Sequence, residues 1–166
     1  MMSIDEVIQR IQLLDTPTII GIEGASGSGK TTLGRELASR LNIEFIDLDS
    51  FVISCDEPVA YVTQIDIESL QERVRELNER DNSFVILGIC LRDVLATISA
   101  TIGISIYVKQ VSSARLWHFG FDIESYNSES ETNGIYEFEP YKSDIRYHQR
   151  VEPHVGSELI YEYVAD

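Results

Sequence analysis

Gly24-Ala25-Ser26-Gly27-Ser28-Gly29-Lys30-Thr31 fits the pattern G-x-x-x-x-G-K-[ST], a glycine-rich turn built to cradle phosphates. Before it, Thr18 to Glu23 is a mainly apolar run that stops at Gly24 and reads as a buried strand. After it, Leu33, Leu37 and Leu41 recur along one helical face from Lys30 onward, and Asn42 is the expected stop. Strand, turn and helix in that order are the context the motif needs, and they argue against a merely flexible Gly/Ser turn. Glycines let the backbone turn sharply, so that successive N–H groups face phosphate oxygens, and the helix start adds the positive end of its dipole. Lys30 is expected to reach the β and γ phosphates as a point charge, and the Thr31 hydroxyl to ligate a bridging magnesium. Thr32 supports the turn. The expected cofactors are ATP or GTP with Mg2+, held on Gly24, Ala25, Ser26, Gly27, Ser28, Gly29, Lys30, Thr31 and Thr32.

Outward from the loop, the same reading gives an alternation of helices and strands. Ser3 and Glu6 form a capping box, and Ile4, Val7, Ile8, Ile11 and Leu14 follow on one helical face that ends near Asp15. Ile43 to Leu48 reads as the second strand. A loop with Pro58 follows, then a helix with Asp66 as N-cap and Ile67, Leu70, Val74 and Leu77 on its apolar side. Phe84 to Leu87 is the third strand, Leu91 to Ile98 a short helix, Ile104 to Val108 the fourth strand and Glu158 to Val164 the last. Such alternation implies an α/β protein with a mostly parallel sheet covered by helices on both faces, its site at the carboxyl ends of the strands. Residues 122–141 break the pattern: six carboxylates and Asn133-Gly134 without one lysine or arginine read as a mobile acidic loop over the site.

The chain of 166 residues with 43% apolar content suits one domain, residues 1–166. Cys55 and Cys90 lie in unrelated settings and are expected to be inert thiols, with no structural zinc. The N-terminal residues, with Asp5 and Glu6, do not follow the layout of a secretory signal, and Arg92 and Asp93 interrupt the longest apolar run. A cytoplasmic protein without membrane role is the expectation. A formal charge of -15 repels the backbone of DNA or RNA and is otherwise read as a solubility feature.

Asp47-Leu48-Asp49-Ser50-Phe51 follows the second strand and belongs on the same sheet edge as the phosphate loop. A carboxylate there can accept a hydroxyl proton and orient the attacking oxygen of a phosphoryl transfer. An Asx turn or helix N-cap is the plainer role for the same residues.

Ser26-Gly27-Ser28-Gly29-Lys30-Thr31-Thr32, Asp49-Ser50-Phe51 and the tail Arg146-Tyr147-His148-Gln149-Arg150 with Pro153 and the strand Leu159 to Tyr163 resemble the uridine kinase and pantothenate kinase branch of small-molecule P-loop kinases. The resemblance implies a three-layer P-loop NTPase fold of five parallel strands with the phosphate-loop strand in the middle. It also implies ATP-dependent transfer to a hydroxyl of a small metabolite, a nucleoside by analogy, with Asp49 as general base and Asp47 as a contact to the magnesium or its water. Two departures stand out. Leu87-Gly88 replaces the acidic residue that the family commonly places before the glycine ending the third strand, and Asp93 is not expected to compensate. The acidic loop lacks the arginines of the family's lid, so Arg115 and Arg146 are the candidates to close over the phosphates from helical positions, with surface ion pairs as their alternative role.

The late aromatics Trp117, Phe119, Phe121, Tyr126, Tyr136, Phe138, Tyr141 and Tyr147 are read as packing beneath the loop before a stacking platform. His118, His148 and His154 are too scattered for a metal site. A nucleotide-binding regulator with little transferase activity is the alternative to a kinase, and a nucleic-acid end kinase ranks below both. The partner expected is a small-molecule acceptor; the oligomeric state, a homodimer included, is open.

Overall fold

The computed structural model describes residues 2–15, 17–54, 57–130 and 132–165. Cys55 and Glu131, read above as an inert thiol and part of the acidic loop, lie outside these. Helix α1 (Ile4–Gln12) starts from the expected capping box: the Glu6 N–H donates to Ser3 Oγ at 3.3 Å and the Ser3 N–H to Glu6 Oε2 at 2.6 Å. Then come β1 (Ile19–Glu23), α2 (Lys30–Leu41), β2 (Glu44–Asp47), α3 (Ile67–Glu79), β3 (Phe84–Leu87), α4 (Leu91–Thr97), β4 (Ile104–Val111), α5 (His118–Ser125), α6 (Tyr141–Val151), α7 (Pro153–Gly156) and β5 (Leu159–Val164). Asp66 caps α3 as expected, its carboxylate accepting the Ser69 N–H at 3.1 Å.

The sheet has the order β2-β3-β1-β4-β5 and every pairing is parallel, so the strand entering the phosphate loop is central. Alternation of side chains along the buried strands divides the core into two layers. Phe84 and Ile86 face α3 and α4 with Leu70, Val74, Leu91 and Val94, while Ile20, Ile22, Val85 and Leu87 face α1 and α2 with Val7, Leu33 and Leu37. Leu37 is fully buried, and such burial stabilises by about 1.5–3 kcal/mol. The three-layer α/β architecture inferred from sequence is the observed one.

The acidic segment differs from its reading as a loop. Residues 122–125 are the last turn of α5, Gly134–Glu137 forms a 3₁₀ turn, and α6 begins at Tyr141. Side chains order the stretch: Tyr136 donates to Asp122 Oδ2 at 2.5 Å, and Asn133 Nδ2 donates to the carbonyls of Asn127 and Ser130. No described residue of α5 is buried, so α5 lacks the aliphatic stripe by which helices are read from sequence. Arg115 is likewise not helical: it stands in a turn before α5 with φ 62. No described helix is long and apolar enough to cross a membrane.

Candidate active site

The loop between β1 and α2 owes its shape to glycines at two points. Gly24 has φ 156, and a Cβ there would lie 2.7 Å from the Val108 carbonyl oxygen, so a side chain would meet backbone. Gly29 caps α2 with φ 96, a left-handed conformation that side chains resist. Lys30, the first residue of α2, is drawn inward. It is 8% exposed, and its Nζ donates to the Ala25 carbonyl at 2.6 Å. Burial pulls its pKa below the usual lysine value, opposed by the carboxylates of Asp144, Asp49 and Asp47 in that order. Ser28 Oγ is buried without a hydrogen-bond partner, a polar atom that an oxyanion would satisfy.

A cavity of about 320 Å³ runs along Ser26 to Thr32 and on to Asp47, Asp49 and Tyr61, where Leu87, Ile89 and Pro140 form its apolar wall. Two carboxylates thus face the phosphate loop across one cavity. Asp47 acts at both ends: Oδ1 accepts the Asp49 N–H at 3.1 Å, capping the 3₁₀ turn Leu48–Phe51, while Oδ2 accepts from Thr31 Oγ1 at 3.2 Å. The cap of the 3₁₀ turn and the contact to Thr31 therefore belong to the same residue. Asp49 Oδ1 accepts from the Tyr61 hydroxyl at 2.8 Å. Desolvation, then the bond to Asp49, drives the Tyr61 pKa upward, so the phenol remains a donor that orients the carboxylate. Among the described residues no group of three or more His, Cys, Asp and Glu could hold a metal ion by itself. Thr31 and Asp47 suit magnesium only in the manner of phosphate sites, where few protein oxygens are joined by phosphate oxygens and water.

Other expected residues stand elsewhere. Gly24 and Ala25 support the loop from behind the cavity wall, and Ala25 contributes its carbonyl to Lys30. Arg115 donates to Glu162 at 2.7 Å on the edge strand, and Arg146, on an exposed face of α6, donates to the Tyr126 hydroxyl at 3.3 Å. Neither lines the cavity. Leu87 is 1% exposed and leaves the third strand's end apolar, while Asp93 is engaged by Arg150. His148 is structural, bonded to the Tyr107 hydroxyl at 2.9 Å and the Asp144 carbonyl at 2.8 Å. The aromatics pack around it: Phe119 lies 4.8 Å away and Tyr107 meets Trp117 edge-on. Trp117, Phe119 and Tyr136, with Gln110 and Asp122, also line a second cavity of about 530 Å³, which reaches Ala25, Ser26 and Ser28 from the side of β4. Cys90 is a buried thiol whose pKa burial pushes up, which keeps it unreactive.

Three residues near the loop carry no role in the sequence reading. Glu23, 1% exposed at the end of β1, accepts from Arg92 Nε at 2.7 Å and from the Tyr147 hydroxyl. Asp144, equally buried on α6, accepts the Ser26 N–H at 2.8 Å. Tyr61 holds Asp49. An acid closing an otherwise apolar strand was a legible sign for Glu23, and the i, i+4 pair Asp144 and His148 one for α6; Tyr61 left none.

A family model for shikimate kinase matches residues 26–57, from inside the phosphate loop to beyond Asp49. A shikimate kinase of Halorhodospira halophila (strain DSM 244 / SL1) is 51% identical over 37 residues, which are 22% of this chain and 21% of that protein. The match thus spans about a fifth of that relative's length. Likeness over the whole chain is structural: a possible uridine kinase from Bacillus stearothermophilus superposes with a TM-score of 0.60 at 17% identity, covering 95% of this chain and 96% of that one. The local match falls on the loop and its facing carboxylates, while the likeness over the whole chain is one of fold, shared with that possible uridine kinase.

Proposed function

We propose that the protein transfers the terminal phosphoryl group of ATP to a hydroxyl of a small metabolite, a nucleoside or sugar being the first class to try. The observation that carries this reading is the position of Asp49 in the lining of the same cavity as Ser26–Thr32, its Oδ1 held by the Tyr61 hydroxyl. In this role Asp49 accepts the proton of the acceptor hydroxyl, and Lys30 leaves the Ala25 carbonyl to meet phosphate charge. Backbone N–H groups and the start of α2 bind the phosphates, and Thr31 with Asp47 would hold magnesium. Bound there, the ion would neutralise charge on the β and γ phosphates. Leu87, Ile89 and Pro140 would exclude water on the acceptor's side.

A second reading has its own support. Lys30 is the one cation among the described residues lining the cavity, and Leu87 supplies no acid to orient metal-bound water. Both fit a nucleotide-binding regulator that transfers slowly or not at all. The deciding experiment is ADP release from ATP and magnesium with a panel of nucleosides, sugars, pantothenate and shikimate, with Lys30→Ala as control. One acceptor raising release above the basal rate, with no rise in the control, establishes the kinase and its substrate class. Stoichiometric nucleotide binding with no acceptor effect would replace the kinase by the regulator.

A further inference from the structure

The phosphate loop is tied from behind by one face of α6. Tyr147 reaches Glu23 at the end of β1, His148 reaches Tyr107 in β4, and Asp144 reaches the loop itself, its Oδ2 accepting the Ser26 N–H at 2.8 Å. All three α6 side chains are buried, Asp144 at 1% exposure. A carboxylate so placed is not a surface feature. It sits out of contact with solvent against a loop whose purpose is to bind anions, where its charge repels the ligand unless geometry gives it another task. Among the described residues Asp144 Oδ1 has no hydrogen-bond partner: it lies 3.1 Å from His148 Nδ1, which is bonded to the Asp144 backbone carbonyl instead. The His148 ring, anchored to β4 through Tyr107 and buried like Asp144, packs beside the carboxylate and limits the room it has to swing away when a phosphate arrives.

We infer that Asp144 is a positioning residue for the phosphate loop: its carboxylate holds the Ser26 peptide in one orientation, so that the later amides of the loop stay directed into the cavity. The contact also explains how a buried lysine is kept beside the loop. Asp144 leads the carboxylates that oppose the desolvation of Lys30. The wall behind the loop thereby supplies opposing charge while the cavity in front, with Asp49 and Asp47, receives ligand. Residues leading into α6, including the 3₁₀ turn Gly134–Glu137 and Pro140 in the cavity's lining, are then mechanically continuous with the loop.

The inference rests on the nucleotide-binding reading above, and two measurements separate them. The first is calorimetric binding of Mg-ADP to Asp144→Ala and Asp144→Asn, with kcat and KM for ATP where turnover is found. Asparagine retains an oxygen that can accept the Ser26 N–H; alanine does not. The alanine variant is expected to bind about ten-fold more weakly, the scale of one charged hydrogen bond, through KM more than kcat, while asparagine stays within about three-fold of the parent. Unchanged binding in the alanine variant, or equal losses in both variants that follow their melting temperatures, would overturn the inference. Tighter binding in the alanine variant would do so too, because the carboxylate would then be a competitor of the phosphate. The second measurement needs no variant: hydrogen exchange of the Ser26 amide in the nucleotide-free chain, expected to be at least ~10-fold slower than an unstructured amide. A protected amide in a chain that binds no nucleotide would remove the proposed function and leave the strut; a freely exchanging amide in a chain that binds well removes the strut alone.

Discussion

Gly24 to Asp49 and Leu116 to Glu152 flank the same edge of the sheet but are held by different means. In the first segment polar contacts are short in sequence: Lys30 to Ala25 spans 5 residues and Thr31 to Asp47 spans 16. The second has short contacts of its own, but those that join it to the sheet and the loop are long, 118 residues from Asp144 to Ser26 and 124 from Tyr147 to Glu23. The first segment therefore has its chemistry written into a contiguous motif, while the second acquires its shape only when the sheet has assembled. Substitutions in the first should remove function and spare stability, and those in the second should do the reverse, except at Asp144, whose carboxylate meets the loop itself.

The sharpest break with that division would come from Lys30. Lys30→Ala is expected to lower turnover at least ~100-fold while the melting temperature holds or rises, since a buried ammonium is removed from a site that desolvates it. A large loss of stability in thermal unfolding would mean that Lys30 holds the loop together, and the two segments would no longer differ in kind. Asp49→Asn comes next. It should cut transfer by about 10²–10⁴ and leave Mg-ADP binding within a few-fold, as expected of a base that meets the acceptor alone. Normal transfer by the asparagine variant would end the general-base assignment.

On the other side of the comparison, Tyr147→Phe removes the hydroxyl that donates to Glu23 and accepts the Arg92 N–H at 3.3 Å. Glu23 keeps Arg92 but loses a buried donor, at a cost of about 1–3 kcal/mol, or a melting temperature lower by about 3–9 °C. Nucleotide binding should change little beside that. A variant with parental stability and lost binding would place Tyr147 with the loop chemistry instead.

The same contrast explains what could be read in advance. The succession of strands and helices, the loop and the cap at Asp66 follow from patterns within about two turns or one strand of each other, and physics at that range is carried by sequence; the central place of β1 is implied only by the resemblance. The ion pair of Arg115 with Glu162 could not be read so, because β5 lies 47 residues on and its neighbour is known only once the sheet is folded. Nor could α5, whose exposed helical residues offer aromatic contacts in place of a stripe. Asp49 as a candidate base needed only its place after β2, but the hydroxyl that orients it comes from a 3₁₀ turn beyond a proline-containing loop, where no periodicity points.

The smallest effect tests the aromatic side by pH. His154 is packed 5.2 Å from the Trp117 ring and 6.0 Å from Tyr107, and its Nδ1 is buried without a hydrogen-bond partner. Desolvation lowers its pKa from 6.5, with His148 and Lys109 acting in the same direction and Glu152 against them. The sign follows from which state takes the proton. Above 6.5 neither folded nor unfolded chain carries charge on this ring, and its contribution to stability is complete. As pH falls through that value the unfolded chain binds a proton that the fold resists, so stability declines until the folded-state value is passed. Between about pH 7 and 5.5, before most carboxylates titrate, the melting temperature should fall by on the order of one degree more in the parent than in His154→Phe. Equal slopes would mean that the ring is hydrated in the folded protein, and the packing between α7 and Trp117 would then be looser than the contacts within the phosphate-loop segment by more than the comparison requires.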